Sequence, residues 1–370
     1  MTVDFRAEQR DGALGQRIAL RSTRALSPDG DGSHAIRAGT PVPRATIVVV
    51  NHNYGDFLAI AIDSALAQDH PHVEVIVVDD GSTDGSAAII AGYGARIRPI
   101  FKTRGGHVEA VNAGFAAASG DVVLFLDADD MLHPDCIRRA VAAMRPGDAK
   151  VQFRLATLDR AGVDQNMPFP HFPPGFSPAD VLRGASRSGW YPWTVSTGNL
   201  FARPYLDQVM PIDAQTIYRS PDGFLCKIAP LYGPVRSLHD ILGGYRVHGT
   251  NAWASSGTSW NADVALRWLA FNRALEHSFV ERADARGVAI RRPLLQSFQS
   301  LEYRMQALRF AAPAQRPAGG RRRAIIDATH WLIELHPHGW PGSIARYGWL
   351  LLLGFAPRRL AERQVRKART

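Results

Sequence analysis

Residues 45–84 read ATIVVVNHNYGDFLAIAIDSALAQDHPHVEVIVVDDGSTD, and this stretch decides the fold. ATIVVV (45–50) is an unbroken β-branched run of the kind buried on both faces of a sheet, and it gives way to the polar turn Asn51-His52-Asn53-Tyr54-Gly55-Asp56. Phe57, Ile60, Ala61, Ser64, Ala65 and Ala67 then fall at helical spacing up to Gln68, and Pro71 stops the helix. VEVIVV (73–78) repeats the buried-strand pattern and ends in Asp79-Asp80-Gly81-Ser82-Thr83-Asp84-Gly85. Strand, helix, strand predicts a parallel βαβ unit.

Working outward, the pattern predicts a helix over 86–92, a strand over 97–101, the loop Arg104-Gly105-Gly106, a helix over 107–118 and a strand over 122–126 that ends in Asp127-Ala128-Asp129-Asp130. Residues 43–145 are therefore expected to form a doubly wound, mostly parallel α/β half with its polar clusters at the carboxyl ends of strands, where open sheets bind ligands. Residues 146–255 are less periodic and rich in Pro, Gly and aromatics, which suits a mixed sheet edged by long loops. Residues 1–42 read as a flexible leader, and 256–370 as a helical extension with helices over 260–312 and 321–336 and a basic tail.

Composition narrows the class. The chain has 370 residues, about two domains' worth, and 46% are hydrophobic, which rules out a disordered chain. Two cysteines, Cys136 and Cys226, are too few for a disulfide framework and lack zinc spacing, so a reducing cytoplasmic compartment is expected. The first forty residues contain no apolar signal-like segment. The formal charge is +9, but residues 321–370 hold ten Lys or Arg against three Asp or Glu, so +7 of it sits in that stretch. That distribution, without any helix-turn-helix, RNP or zinc pattern, argues against a nucleic-acid partner.

Two acidic clusters carry the chemistry. An exposed carboxylate at Asp79-Asp80-Gly81-Ser82 can accept from the edge of a base, and the same pattern is equally read as helix capping. At Asp127-Ala128-Asp129-Asp130, three carboxylates follow five apolar residues, and their mutual repulsion calls for a cation. Oxygen ligands imply a hard ion, Mn²⁺ or Mg²⁺, which keeps positions open for substrate phosphates. A turn before a helix explains Asp130 and Asp135 but not Asp127.

Together these elements resemble the family-2 nucleotide-sugar glycosyltransferases with the GT-A fold, over roughly residues 44–252. The likeness rests on the first strand with residues 51–54, on Ser64-Ala65-Leu66-Ala67-Gln68, on 78–84, on Asn112-Ala113-Gly114 followed by Ala118-Ser119-Gly120-Asp121, and on Leu126-Asp127-Ala128-Asp129-Asp130. The resemblance implies a Rossmann-like α/β sheet, with Asn51 and Asp80 holding the nucleoside, Asp127 contacting ribose or metal, and Asp129 coordinating the metal on the diphosphate. It further implies that Asp222, in Tyr218-Arg219-Ser220-Pro221-Asp222-Gly223-Phe224-Leu225, is the catalytic base. There Pro221 replaces the usual preceding acid, and the plain alternative is a helix N-cap. Tyr245-Arg246-Val247-His248 resembles the family's closing segment, in which His248 reaches the metal or a diphosphate and Arg246 can do the same; the alternative for a lone His is simple packing.

The activity so implied is a metal-dependent, inverting, hexosyltransferase-type transfer from a nucleotide-diphosphate sugar, UDP-linked as the commonest carrier, to a saccharide or lipid-linked saccharide acceptor in cell-surface polysaccharide or glycolipid synthesis. Trp190 and Trp193 are expected to meet the acceptor, with Gly198 permitting close approach, or else to be ordinary core. A catalytically impaired sugar-nucleotide-binding or scaffold protein of the same fold is the alternative. The apolar run 347–356 is about half the length a spanning helix needs. With the basic residues of 346–370 it suggests an anionic membrane surface as partner, hence a peripheral place at the inner face of the cell membrane, against the alternative of a packed helix with a solvated tail.

Overall fold

A strand built on an apolar run must be covered on both faces, and β1 (Ala45–Asn51), apolar apart from Thr46 and Asn51, is buried along its whole length. The computed structural model describes residues 42–249, 262–295, 297–334 and 339–367; the leader expected over 1–42 lies outside them except for Val42. The other strands are β2 (Val73–Asp80), β3 (Arg98–Lys102), β4 (Val122–Asp127), β5 (Met131–Leu132), β6 (Lys150–Leu158), β7 (Asn199–Ala202) and β8 (Val235–Arg246). They form a single mixed sheet in the order β3-β2-β1-β4-β7-β6-β8-β5. The first four pair in parallel, and the β4–β7, β6–β7 and β5–β8 pairings are antiparallel.

Helices α1 (Gly55–Leu66), α2 (Ser86–Gly92), α3 (His107–Ala117), α4 (Cys136–Ala143), α5 (Pro178–Ser188), α6 (Arg203–Val209) and α7 (Pro221–Ile228) connect the strands. The α/β class expected from the sequence, a doubly wound parallel half followed by mixed strands and a C-terminal set of helices, is the architecture observed. Register carries it to function: Asn51 pairs with Asp79 across β1–β2 and Val50 with Asp127 across β1–β4, so the polar strand ends share one edge.

The chain divides into two compact units, one comprising residues up to Val181 with Pro192–His248, the other Leu182–Tyr191 with residues from Gly249 onward. In the first, Ile47, Val49, Leu58, Ile62, Val77, Leu124 and Phe153 belong to one apolar core. The second holds α8 (Ala262–Ala285), α9 (Phe298–Phe310), α10 (Gly320–Glu334), α11 (Gly339–Phe355) and α12 (Arg358–Lys367). Leu301, Met305, Ala328, Trp331, Leu350 and Leu353 form its core. Among the described residues no helix is long and apolar enough to cross a membrane.

Candidate active site

The element 79–84 is spent on building the edge of the sheet. Asp79 accepts from Asn51 Nδ2 at 2.7 Å and from the Ser82 hydroxyl and amide, closing the turn. Asp84 accepts from the amides of Gly55 and Ser86, at 2.9 and 3.0 Å. Gly81 turns with φ 68°, and a Cβ there would lie 2.7 Å from the Arg104 amide nitrogen, so no other residue fits without moving that loop. Asn51 is fully buried beneath the strand end, its amide nitrogen shared between Asp79 and Ser82.

Asp80 is buried too, and its carboxylate accepts from Lys102 Nζ at 2.6 Å, Gly105 N at 2.8 Å and Gly106 N at 2.7 Å. Burial alone would raise its pKa, but the Lys102 ammonium and the two amides outweigh it and hold the carboxyl below its ordinary range. The group thus clamps the loop that opens α3, whose first residue is His107. Each carboxylate of this cluster thus has partners within the fold: Asp79 and Asp84 tie the turn to Asn51, Gly55 and Ser86, and Asp80 holds the loop before α3.

Asp127 ends β4, with its Oδ1 3.3 Å from His107 Nε2. Burial works against a charged His107, yet Asp127, Asp222 and Asp129 overcome it and raise the imidazole above its ordinary value. Sequence reading missed His107; the signal was a histidine opening a helix directly after a glycine-bearing loop on the strand-end side. Asp129 Oδ2 lies 2.9 Å from Nε2 of His248, a residue 119 positions away whose side chain is wholly enclosed. Tyr54 and Phe57 enclose that ring, with centroids 5.5 and 4.9 Å from it. Burial and then the Asp127 charge push the Asp129 carboxyl up, partly offset by His248. Asp130 is completely buried and accepts from Thr197 Oγ1 at 2.6 Å and from the Arg246 amide at 3.0 Å. Burial, followed by the charges of Asp129 and Asp127, raises it well above the usual range.

The β5–β8 pairing, Met131 with Gly244, explains how residues 246–248 reach this loop. The Arg246 guanidinium is buried, with Nε donating to the Asp129 carbonyl at 3.0 Å and NH1 to the Arg160 carbonyl at 3.1 Å, so it braces the loop. Asp222 sits in the first turn of α7, following Ser220, a non-glycine residue at φ 51°. The Ser220 hydroxyl donates to Asp222 Oδ1 at 2.8 Å. Burial raises the Asp222 carboxyl, Ser220 opposes the rise, and the charges of Asp127 and His107 raise and lower it in turn. Those mutual effects place Asp222, Asp127 and His107 in one electrostatic neighbourhood.

Trp193 is half-buried in the unit that holds these residues; Trp190, also half-buried, belongs to the other. Gly198, expected to permit close approach of an acceptor, has a packing reason of its own. It is buried, and a Cβ there would strike Thr194 Oγ1 at 2.3 Å, so its smallness serves the packing of the 194–199 turn. Beneath that turn lies a second group the sequence did not announce. Lys150 is fully buried on β6, its ammonium donating to Asn199 Oδ1 at 2.6 Å and to Gln152 Oε1 and Cys226 Sγ at 3.0 Å.

Residues 46–176 match the family described as "Glycosyl transferase family 2". An uncharacterized glycosyltransferase of Nostoc sp. is 34% identical over 230 residues, covering 60% of this chain and 70% of that protein. The succinoglycan biosynthesis protein ExoO of Rhizobium meliloti is 41% identical over 125 residues, covering 33% of this chain but 35% of its own length. Among solved structures, the mannosyltransferase PcManGT from Pyrobaculum calidifontis, in complex with GDP-Man and Mn²⁺, aligns over 85% of this chain and 88% of its own at 18% identity and a TM-score of 0.47. On the Nostoc relative's identity and coverage, the chain belongs to glycosyl transferase family 2.

Proposed function

We propose that this protein transfers a hexose-type sugar from a UDP-linked donor to an acceptor hydroxyl, with inversion, in the assembly of a surface polysaccharide or glycolipid. The observation that carries the proposal is the meeting of Asp129 with His248 from 119 residues away, in the same charged neighbourhood as Asp127, His107 and Asp222. ExoO's named role in succinoglycan biosynthesis supports a polysaccharide product.

A divalent ion, Mn²⁺ or Mg²⁺, fits the residues present. Among the described residues no three His, Cys, Asp or Glu side chains gather as a complete metal cage. Asp129 and His248 do offer an oxygen and a nitrogen 2.9 Å apart, close to the ~3 Å that separates neighbouring ligands at about 2.1 Å from an octahedral ion. The raised Asp129 carboxyl, crowded by Asp127, is the repulsion that a cation would offset. When bound, the ion would neutralise charge growing on the departing diphosphate.

The remaining chemistry falls to side chains. Asp127, at the strand end, faces the ribose, while Asn51 and Asp80 support the nucleoside through the edge and loop they build. Asp222 takes the proton of the acceptor hydroxyl as it attacks the anomeric carbon; its raised pKa brings it nearer neutrality, where a general base is most effective. A single base suffices for inversion. His107, whose imidazole the carboxylates hold above its ordinary pKa, orients Asp127 and favours a proton opposite the acids, and Trp193 offers an aromatic face to the acceptor.

Calorimetric titration of UDP, GDP and dTDP, with and without Mn²⁺, tests the donor site. Metal-dependent micromolar binding of UDP, lost in Asp129→Ala, is expected; absence of binding by all three would overturn the proposal.

A further inference from the structure

The apolar run 347–356 was expected either to pack or to meet a membrane, and its helix packs on one side while leaving an apolar side exposed. Ser343, Leu350 and Leu353 of α11 are buried, with Leu350 and Leu353 in the core that α9 and α10 share. On the other side, Ile344, Leu351, Leu352 and Phe355 are 55%, 36%, 36% and 59% exposed. At 100° per residue these four fall within an arc of about 100°, a continuous apolar strip rather than scattered exposure. Leu360 of α12 is 43% exposed just beyond it. Four large apolar side chains on one outward face are unusual for a helix that ends its role in the core.

Charge identifies what the strip meets. Residues 339–370 contain seven Lys or Arg and one acid, Glu362. Arg321 lies 5.6 Å from the centroid of the Phe355 ring, putting a cation at the border of the strip, and Arg358 and Arg359 are exposed where α12 begins. A second copy of this chain would bring two such basic faces together, and a nucleic acid would match the cations but not the apolar strip. We infer that the outward face of α11 docks on an anionic lipid bilayer, with Ile344, Leu351, Leu352 and Phe355 entering the headgroup boundary and the flanking arginines meeting lipid phosphates. This does not depend on the transfer reaction, and its test involves neither donor nor acceptor.

The full chain is sedimented with vesicles of phosphatidylcholine alone and of phosphatidylcholine with phosphatidylglycerol at about two to one. Binding to the anionic vesicles only is expected, weakened by ~0.5 M salt. Leu351→Ser with Phe355→Ser should weaken it roughly tenfold or more without changing the thermal melt, since both side chains point outward, and Arg358→Ser with Arg359→Ser should remove most of the salt sensitivity. Should the double serine variant melt early, Leu352→Trp supplies a second readout: bromine-labelled acyl chains should quench it beyond the wild-type signal. The inference is overturned by no sedimentation, by equal binding to neutral vesicles, by an unquenched Leu352→Trp, or by a dimer in free solution that the double serine variant dissolves.

Discussion

Asp80→Asn separates two roles for one carboxylate, base-edge acceptor or loop clamp. In the structure Asp80 accepts three bonds, from Lys102 Nζ, Gly105 N and Gly106 N at 2.6, 2.8 and 2.7 Å. An asparagine keeps one acceptor oxygen and turns its NH₂ toward a donor, so at least one buried donor is left unmade and Lys102 loses its counter-charge. Each bond to a charged group contributes about 1.5–3 kcal/mol. Lys102 is a fifth exposed and also donates to the Thr103 carbonyl at 2.8 Å, so its share is discounted for solvent. A net loss of about 3 kcal/mol is expected, or roughly 6–12 °C in Tm for a unit of this size. Because the folded-state pKa of Asp80 is lowered, its stabilisation is present above the ordinary carboxylate range and disappears as pH falls through the lowered value. The gap between wild type and variant, measured by calorimetric melts across pH, should therefore hold at neutrality and close only in strong acid. If the carboxylate is the clamp, UDP, GDP and dTDP weaken together. A variant that melts within about 1 °C of wild type and merely exchanges its preferred base would refute the reasoning.

Other outcomes follow from the same geometry. Thr197→Val removes the 2.6 Å donor to buried Asp130 with little change of shape, and should lower stability by about 1–3 kcal/mol, with Thr197→Ser restoring it in chemical denaturation. His107→Asn removes the positive charge that lowers the Asp222 pKa, so the acid limb of the transfer rate should move to higher pH; movement to lower pH would contradict the assigned neighbourhood. Asp222→Asn should abolish transfer while leaving metal-dependent UDP binding within about threefold, read by product formation against calorimetry. Lys150→Met leaves the Asn199 and Gln152 oxygens without their donor and should cost about 2–4 kcal/mol in melts near neutral pH, after relief from burying the ammonium.

How far the sequence revealed these parts depends on how locally each is encoded. The β-branched runs 45–50, 73–78 and 122–126 announce the parallel half, because burial on both faces leaves no other economical pattern. Asp127 and Asp129 stand out for the same reason, as charges at the end of an apolar strand. The 79–84 cluster was legible as an acidic turn, but its use was not: whether Asp80 meets a ligand or Lys102 depends on a loop 25 residues later. His107 was passed over because one imidazole at a helix start is ambiguous by itself; its meaning comes from Asp127 at the end of β4, the next strand.

Lys150 shows why the least legible residue can organise the site. An isolated lysine in a strand reads as an exposed edge charge, yet here it is buried between the 194–199 turn and α7. Through Asn199, whose Nδ2 donates to the Val195 carbonyl at 2.7 Å, it shapes the turn that presents Thr197 to Asp130 beneath the acidic loop. Through Cys226 it meets α7, which carries Asp222 in its first turn. Burial lowers the Lys150 pKa, so the folded state holds this proton less tightly than the unfolded chain. The sign is then fixed: its penalty is felt in full below the lowered folded-state value and eases as pH climbs from there toward the ordinary lysine value. The wild type should therefore gain stability relative to Lys150→Met between neutrality and about pH 10 in calorimetric melts. A difference that stays flat or shrinks would mean that burial does not weaken this ammonium's hold on its proton, so that the link it makes between the 194–199 turn and α7 carries no desolvation cost.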